Sequence, residues 1–290
     1  MKKNPLQRPI VPQLPLTPSL QRLVSHAPRP AVELIAASGA PEESLEQVIH
    51  QIDDLDLARF LRIADRFDGE RCAYAVTPNV DHLIRYHEDA AYRELYRGAD
   101  YVLLDSRFAA YLLRAIKGLK LPVCPGADLL PKLLGTIVKP ADRLVLVGGT
   151  VDQAQTLARQ YGLSNLHHHN PPMGFINDRP AVEQCLEFIE HASPFRFCFV
   201  VVGSPQQELL AYELKARARA RGLVLCLGAS LNFLTGVERR APPWLRHVGF
   251  EWLYRLLQDP RRLARRYLVR GPRIFGHLRR ARFILRTTPS

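Results

Sequence analysis

Phe197–Glu208 reads FCFVVVGSPQQE, and this stretch decides the fold. Phe197 to Val202 is a continuous β-branched and aromatic run, the pattern of a parallel strand buried on both faces. Gly203 allows a sharp turn, Ser204 can cap a helix, and Pro205 suits a helix's first turn. Gln206, Gln207 and Glu208 then stand in that turn. In an open parallel sheet, ligands collect at this edge, and a helix N-terminus there favours an anion such as a diphosphate. An ordinary strand–helix junction without a ligand reads the same way, so the stretch fixes architecture before chemistry.

Moving outward, the same unit recurs. Cys72–Val76 is a short strand that runs into Thr77-Pro78-Asn79 and a helix from Val80 to about Arg97. Tyr101–Leu104 is a strand ending at Asp105, with a helix over Phe108–Ile116. Pro125-Gly126-Ala127-Asp128 opens a helix through Leu134. Leu144–Val147 ends in Gly148-Gly149-Thr150 before a helix over Asp152–Tyr161, and a further helix spans Pro180–His191. Leu223–Leu227 is a strand closed by Gly228-Ala229-Ser230. Upstream, Leu45, Val48, Ile49, Ile52, Leu57, Phe60 and Leu61 space as one helical face, so Pro41–Arg66 reads as helix. Strands alternating with helices give an α/β class with a parallel sheet and helices on both faces.

The chain divides into three parts. Residues 1–29 are proline-rich and read as an extended, partly disordered leader. Residues 30–237 form the α/β domain. Residues 238–290 are a basic helical appendage. Five cysteines lie without CxxC spacing, which fits a reducing compartment and no structural metal. No apolar run approaches the length of about 20 residues needed to span a bilayer.

Net charge is +12, and from Gly236 onward fourteen arginines and no lysine face only Glu238, Glu251 and Asp259. Trp244, Val248, Trp252 and Leu256 recur at fourfold spacing on the same segment. Aromatic and aliphatic residues on one side with arginines on the other suit an anionic membrane surface. Packing against the α/β domain or a second subunit would use the same stripe. The stripe is too wide for a groove-reading helix and no nucleic-acid module is present, which argues against nucleic acid. A second copy of the chain is one partner that such a stripe admits.

Several residues could carry chemistry. Asp105, at a strand's C-terminal end, reads either as a helix N-cap or as a general base. Gly148-Gly149-Thr150 lacks the GxGxxG spacing and the later acidic residue of a dinucleotide site. His167-His168-His169 is a poor metal motif, because adjacent side chains diverge.

In order, these motifs resemble the WecG/TagA/CpsF family of bacterial glycosyltransferases. The resemblance is carried by Thr77-Pro78-Asn79 with Asp81-His82, Tyr101–Asp105, Gly126–Pro131, Leu144–Gly149, Gly174-Phe175, Gly203–Glu208, Gly228–Gly236, Arg239–Trp244, Glu251–Leu256 and Pro260–Tyr267. It implies a Rossmann-like domain and inverting transfer from a UDP-sugar to an undecaprenyl-diphosphate-linked sugar. It implies no metal or other cofactor, and a basic appendage that docks on the inner face of the plasma membrane from the cytoplasm. By position, Asp105 would be the base. Thr77, Asn79, Asp128, Gly148, Gly149, Gly203, Pro205, Gln207 and Glu208 would bind substrate, and Arg255, Arg262 and Arg265 would neutralise diphosphate. Ser106 stands where the family has glycine, and Leu231-Asn232-Phe233 where it has Phe-Asp-Phe. Donors in the family are N-acetylmannosamine, its uronic acid or glucose. A catalytically silent relative acting as a scaffold is the alternative.

Overall fold

The computed structural model describes residues 48–287, so the expected leader lies outside the described residues. Six parallel strands form the main sheet: β2 (Cys72–Val76), β3 (Tyr101–Val102), β4 (Leu144–Val147), β5 (Leu166–His169), β6 (Phe197–Val200) and β7 (Gly222–Cys226), in the order β3-β2-β7-β6-β4-β5. Strands β2, β4, β6 and β7 are buried at every position. Their alternating side chains feed two separate cores. Val145, Val147, Cys198, Val200, Val224 and Cys226 enter one core, while Leu144, Leu146, Phe197, Phe199, Leu223 and Leu225 enter the other.

Helices cover both faces. Along the chain they are α1 (Leu57–Asp65), α2 (Val80–Glu88), α3 (Ala90–Arg97), α4 (Arg107–Lys117), α5 (Gly126–Thr136), α6 (Val151–Tyr161), α7 (Arg179–His191), α8 (Gln206–Arg217) and α9 (Ser230–Leu234). Helices α1, α5, α6 and α9 pack on the leucine-rich face, and α2, α3, α4, α7 and α8 on the other. The α/β class and the Rossmann-like parallel sheet are as the sequence suggests.

The C-terminal segment carries α10 (Pro243–His247), α11 (Glu251–Gln258), α12 (Pro260–Ala264), a π turn over Arg265–Arg270, α13 (Arg273–Arg280) and a strand, β8 (Arg282–Arg286). Helix α13 inserts Ile274 and Leu278 into the same core as α2 and α4. Strand β8 pairs in parallel with β1 (Ile49–Asp53), register Ile49↔Arg282 to Asp53↔Arg286. At the end of that ladder Arg286 grips the buried Asp53: Nε donates to Oδ1 at 3.0 Å and Nη2 to Oδ2 at 2.5 Å.

Three local expectations change. The single helix over Pro41–Arg66 is a strand followed by a helix, with 41–47 outside the described residues. His50 and Ile52 are buried while Ile49 and Gln51 are exposed, an alternation set by the distant partner β8. The helix from Val80 to Arg97 breaks at Asp89. That residue closes α2 through its N–H to the Arg85 carbonyl and caps α3 by accepting from the Tyr92 N–H. Ser204 does not cap α8. Pro205 occupies that position, and the Ser204 hydroxyl meets Tyr92 instead, Oγ 2.9 Å from the phenol oxygen.

Candidate active site

The carboxyl ends of β2, β3, β6 and β7 open into one cavity of about 850 Å³, roofed by α11, the π turn and α13. Thr77 and Asn79 come from the end of β2, Asp105 from β3, Gly203 and Gln207 from β6, and Gly228 and Ser230 from β7. The floor is tied together across strands. The Asp105 N–H donates to the Pro78 carbonyl at 2.9 Å, and Thr77 Oγ1 donates to the Cys226 carbonyl at 2.9 Å. The Gln207 side chain accepts from the Gly228 N–H at 2.8 Å, which joins the β6 and β7 loops. Gly203 has φ 86°, the left-handed turn that its lack of a side chain permits.

Asp105 is not a helix cap. Ser106 takes that role, its Oγ accepting from the Ala109 N–H at 3.1 Å. The serine standing in the family's glycine position thus leaves the carboxylate free for other work. Asp105 Oδ1 accepts from the Gly126 N–H at 2.7 Å, and Oδ2 makes no hydrogen bond to another described residue. Burial pushes the Asp105 pKa up to about 6. The Gly126 N–H, Arg255 and Arg240 oppose the rise, and Glu251 adds to it. A carboxyl of that kind is mostly ionised at neutral pH and basic enough to take a hydroxyl proton.

Arginines from the C-terminal segment crowd the same cavity, each steered by an acid. Arg255 and Arg262 approach Glu238 at 3.7 and 3.8 Å, and Arg262 Nε donates to Asp259 at 2.7 Å. Arg240 donates to Asp128 at 2.7 Å, with Arg246 and Arg107 each 3.4 Å from the same carboxylate. Burial of Asp128 raises its pKa, and Arg240, Arg107 and Arg246 overcome this and hold it below the usual carboxylate range. Arg240 Nε and Nη2 and Arg246 Nε make no hydrogen bond among the described residues, although Arg240 Nε lies 3.8 Å from Glu251 Oε1.

A second cluster sits on the first turn of α2. Asn79 Oδ1 accepts from the Asp81 and His82 N–H groups at 3.0 and 3.4 Å and from Arg266 Nη2 at 3.3 Å. Its oxygen is thereby occupied, so the amide NH₂ is what it can offer a ligand. Buried Asp81 lies 3.5 Å from Arg85, 3.7 Å from Arg266 and 3.8 Å from Arg270. Burial would raise its pKa, but Arg266, Arg85 and Arg270 outweigh it and keep the carboxylate ionised.

Of the residues singled out from sequence, Thr77, Asn79, Asp105, Gly203, Gln207, Arg255 and Arg262 line this cavity. Asp128 lies behind its wall as the anchor for three arginines. Gly148 and Gly149 are packing positions: a Cβ on Gly149 would come 2.5 Å from Leu231 Cδ2, and on Gly148 2.9 Å from Val202 Cγ1. His168 Nε2 reaches the carbonyls of both at 3.2 Å, which gives one of the three histidines a structural task. No group of three His, Cys, Asp or Glu among the described residues is placed to hold a metal ion. Pro205 caps α8, and Glu208 is buried beneath the floor with Oε1 accepting from Gln207 Nε2 at 2.9 Å. Arg265 is exposed and does not line the cavity, whereas its neighbour Arg266 does. Sequence reasoning gave no role to Asp81, His82, Arg240, Arg246 or Arg266. Asp81-His82, Arg240 and Arg266 stood in blocks that carry the family resemblance without a role of their own, and Arg246 was visible only as part of the charge run.

No helix among the described residues is long and apolar enough to cross a membrane. Residues 13–288 of the 290 match the family described as Glycosyl transferase WecG/TagA/CpsF family. A cavity at the carboxyl edge of a parallel sheet, with one carboxyl tuned near neutrality among arginines, agrees with that match. The chain belongs to the WecG/TagA/CpsF family of glycosyltransferases, whose role is sugar transfer in polysaccharide synthesis between a sugar donor and a lipid-linked acceptor.

Proposed function

We propose that the protein is an inverting glycosyltransferase that moves a sugar from a UDP-sugar to an undecaprenyl-diphosphate-linked sugar at the inner face of the plasma membrane. The observation that carries this reading is Asp105, with Oδ1 held by the Gly126 N–H and Oδ2 left for an acceptor. In the step, Oδ2 takes the acceptor hydroxyl proton and the hydroxyl oxygen attacks the donor's anomeric carbon. The bond from that carbon to UDP breaks on the opposite face, and the electron pair leaves on the diphosphate. Arg255 and Arg262 face the cavity where that charge develops, so they stabilise the leaving group. Donors fixed in place before reaction need no rearrangement as the charge forms.

The membrane side of the reading rests on the C-terminal segment. Trp244, Val248, Leu257, Leu268 and Val269 are all at least half exposed, on a chain rich in arginine. Apolar side chains interleaved with arginines suit an anionic lipid surface. The test is UDP release from a panel of UDP-sugars with a lipid-diphosphate-sugar acceptor in vesicles. Acceptor-dependent release is expected with one donor. A folded protein that binds vesicles but releases UDP with none would instead be a scaffold.

A further inference from the structure

His82 stands on the first turn of α2, 7% exposed, on the cavity wall. Its Nδ1 lies 3.0 Å from the Tyr96 hydroxyl. The Tyr92 hydroxyl donates to Tyr96 at 3.0 Å and lies 2.9 Å from Ser204 Oγ. Arg85 Nη1 reaches Ser204 Oγ at 3.5 Å. Burial pushes both phenols well above their ordinary range, so each keeps its proton.

The direction of this chain follows from proton counting. A guanidinium only donates, and each hydroxyl has one proton to give. Tyr92 gives its single proton to Tyr96, so Tyr96, already an acceptor there, gives its own to His82 Nδ1. The Ser204 hydroxyl also bonds to Glu208, and that bond opposes the rise that burial gives the carboxyl's pKa. The direction toward His82 is set by Tyr92, whose one proton goes to Tyr96. With Nδ1 accepting, a neutral imidazole carries its proton on Nε2. Burial lowers the His82 pKa to about 3, so the ring is neutral throughout the working range.

We propose that His82 is a specificity-determining residue whose Nε2–H, fixed by the Tyr92–Tyr96 pair on Nδ1, donates to an uncharged hydroxyl or amide carbonyl oxygen of a sugar bound beside Asp105. The sugar is one of the two substrates named above, so this contact rests on the transferase reading. Proximity to Asp105 comes from the Pro78–Asp105 hydrogen bond, which ties the end of β3 to the loop that opens α2. An uncharged partner fits because phosphate oxygens in this cavity meet guanidinium groups, whereas a neutral N–H beside the anionic Asp81 attracts an anion least. A buried donor left unmatched by the wrong sugar costs binding, which is how such a site rejects analogues.

Two arms test the proposal on the full chain. In ligand-free protein labelled with ¹⁵N-histidine, with His82 assigned by its loss in His82→Gln, the proton is expected on Nε2 without titration from pH 5 to 8. Tyr92→Phe breaks the chain and is expected to populate the Nδ1–H form. In the kinetic arm, donor and acceptor analogues lacking single hydroxyl or acetyl groups are compared. One analogue is expected to lose about 10–100-fold in kcat/KM with the wild type and nothing further with His82→Phe. A proton on Nδ1, titration within that range, or an equal His82→Phe loss on every analogue overturns the proposal. No transfer by the wild type from any UDP-sugar overturns the function and the sugar contact together, while the NMR arm still decides the proton's place.

Discussion

Asp105→Asn should make the protein more stable and nearly inactive. The Asp105 pKa is about 6 in the fold against an ordinary 3.8. Between those values the folded state binds the proton more tightly than the unfolded one. Stability from this group is therefore fully present below the lower value and lost as pH rises through about 6. At about 1.36 kcal/mol per unit, the ionised carboxylate costs the fold up to about 3 kcal/mol at pH 7. Asparagine keeps an oxygen for the Gly126 N–H without the charge, so denaturant melts at pH 7 should show a gain of that order, shrinking to nothing below about pH 3. Removing a general base costs about 10²–10⁴-fold in rate. In the wild type, kcat/KM should fall about tenfold per pH unit below about 6 and level off above it. A variant that is less stable at pH 7, keeps more than a tenth of the rate, or leaves the acid limb unchanged would refute the reasoning.

Four other perturbations follow from the same contacts. Arg255→Ala and Arg262→Ala should each lower kcat/KM about 10–100-fold and weaken inhibition by free UDP by a similar factor, since a charge-assisted hydrogen bond is worth about 1.5–3 kcal/mol. Arg286→Ala leaves buried Asp53 without its guanidinium. As Arg286 is 27% exposed, the loss should be about 2–3 kcal/mol, below that of a fully buried pair, with limited proteolysis cutting the C-terminal segment first. Gly149→Ala, at φ 75° and 2.5 Å from Leu231, should cost about 1–3 kcal/mol in a denaturant melt. Trp244→Ser with Leu257→Ser should weaken sedimentation with anionic vesicles by about tenfold or more, while turnover of a short-chain, water-soluble acceptor stays unchanged.

What the sequence revealed depended on the range of the interaction behind each feature. The strands β2, β4, β6 and β7 were legible because residues buried on both faces leave an uninterrupted apolar run, and their edge follows from the parallel sheet. The cavity floor was legible for the same reason: Thr77, Asn79, Asp105, Gly203 and Gln207 lie where strands stop. Strand β1 was not legible, because the strand it pairs with among the described residues is β8, more than 200 residues away. Spaced apolar residues there fit a helix equally well until the partner is known. Gly148-Gly149 misled for a related reason. Glycines after a strand signal close approach without saying whether a phosphate or, as here, a leucine is the thing approached.

The charge of the C-terminal segment shows the limit most clearly. Composition counts fourteen arginines against three acids from Gly236 onward, which suggests a freely cationic surface. In the fold, acids of the α/β domain reach across to that segment: Asp81 to Arg266 and Arg270, Asp128 to Arg240 and Arg246, Glu88 to Arg270 and Arg273, Asp53 to Arg286. Arg270, Arg273 and Arg286 thus fasten the segment, Arg255 and Arg262 face the cavity, and Arg240, Arg246 and Arg266 do both. The contacts of Arg255 and Arg262 with Glu238, at 3.7 and 3.8 Å, are longer than a hydrogen bond. A diphosphate offering shorter contacts would draw these two arginines more strongly than the Arg286–Asp53 clamp, whose bonds are already 2.5 and 3.0 Å. Salt should therefore weaken substrate affinity before it loosens the Arg286–Asp53 clamp, whose carboxylate is 2% exposed and whose bonds are already short.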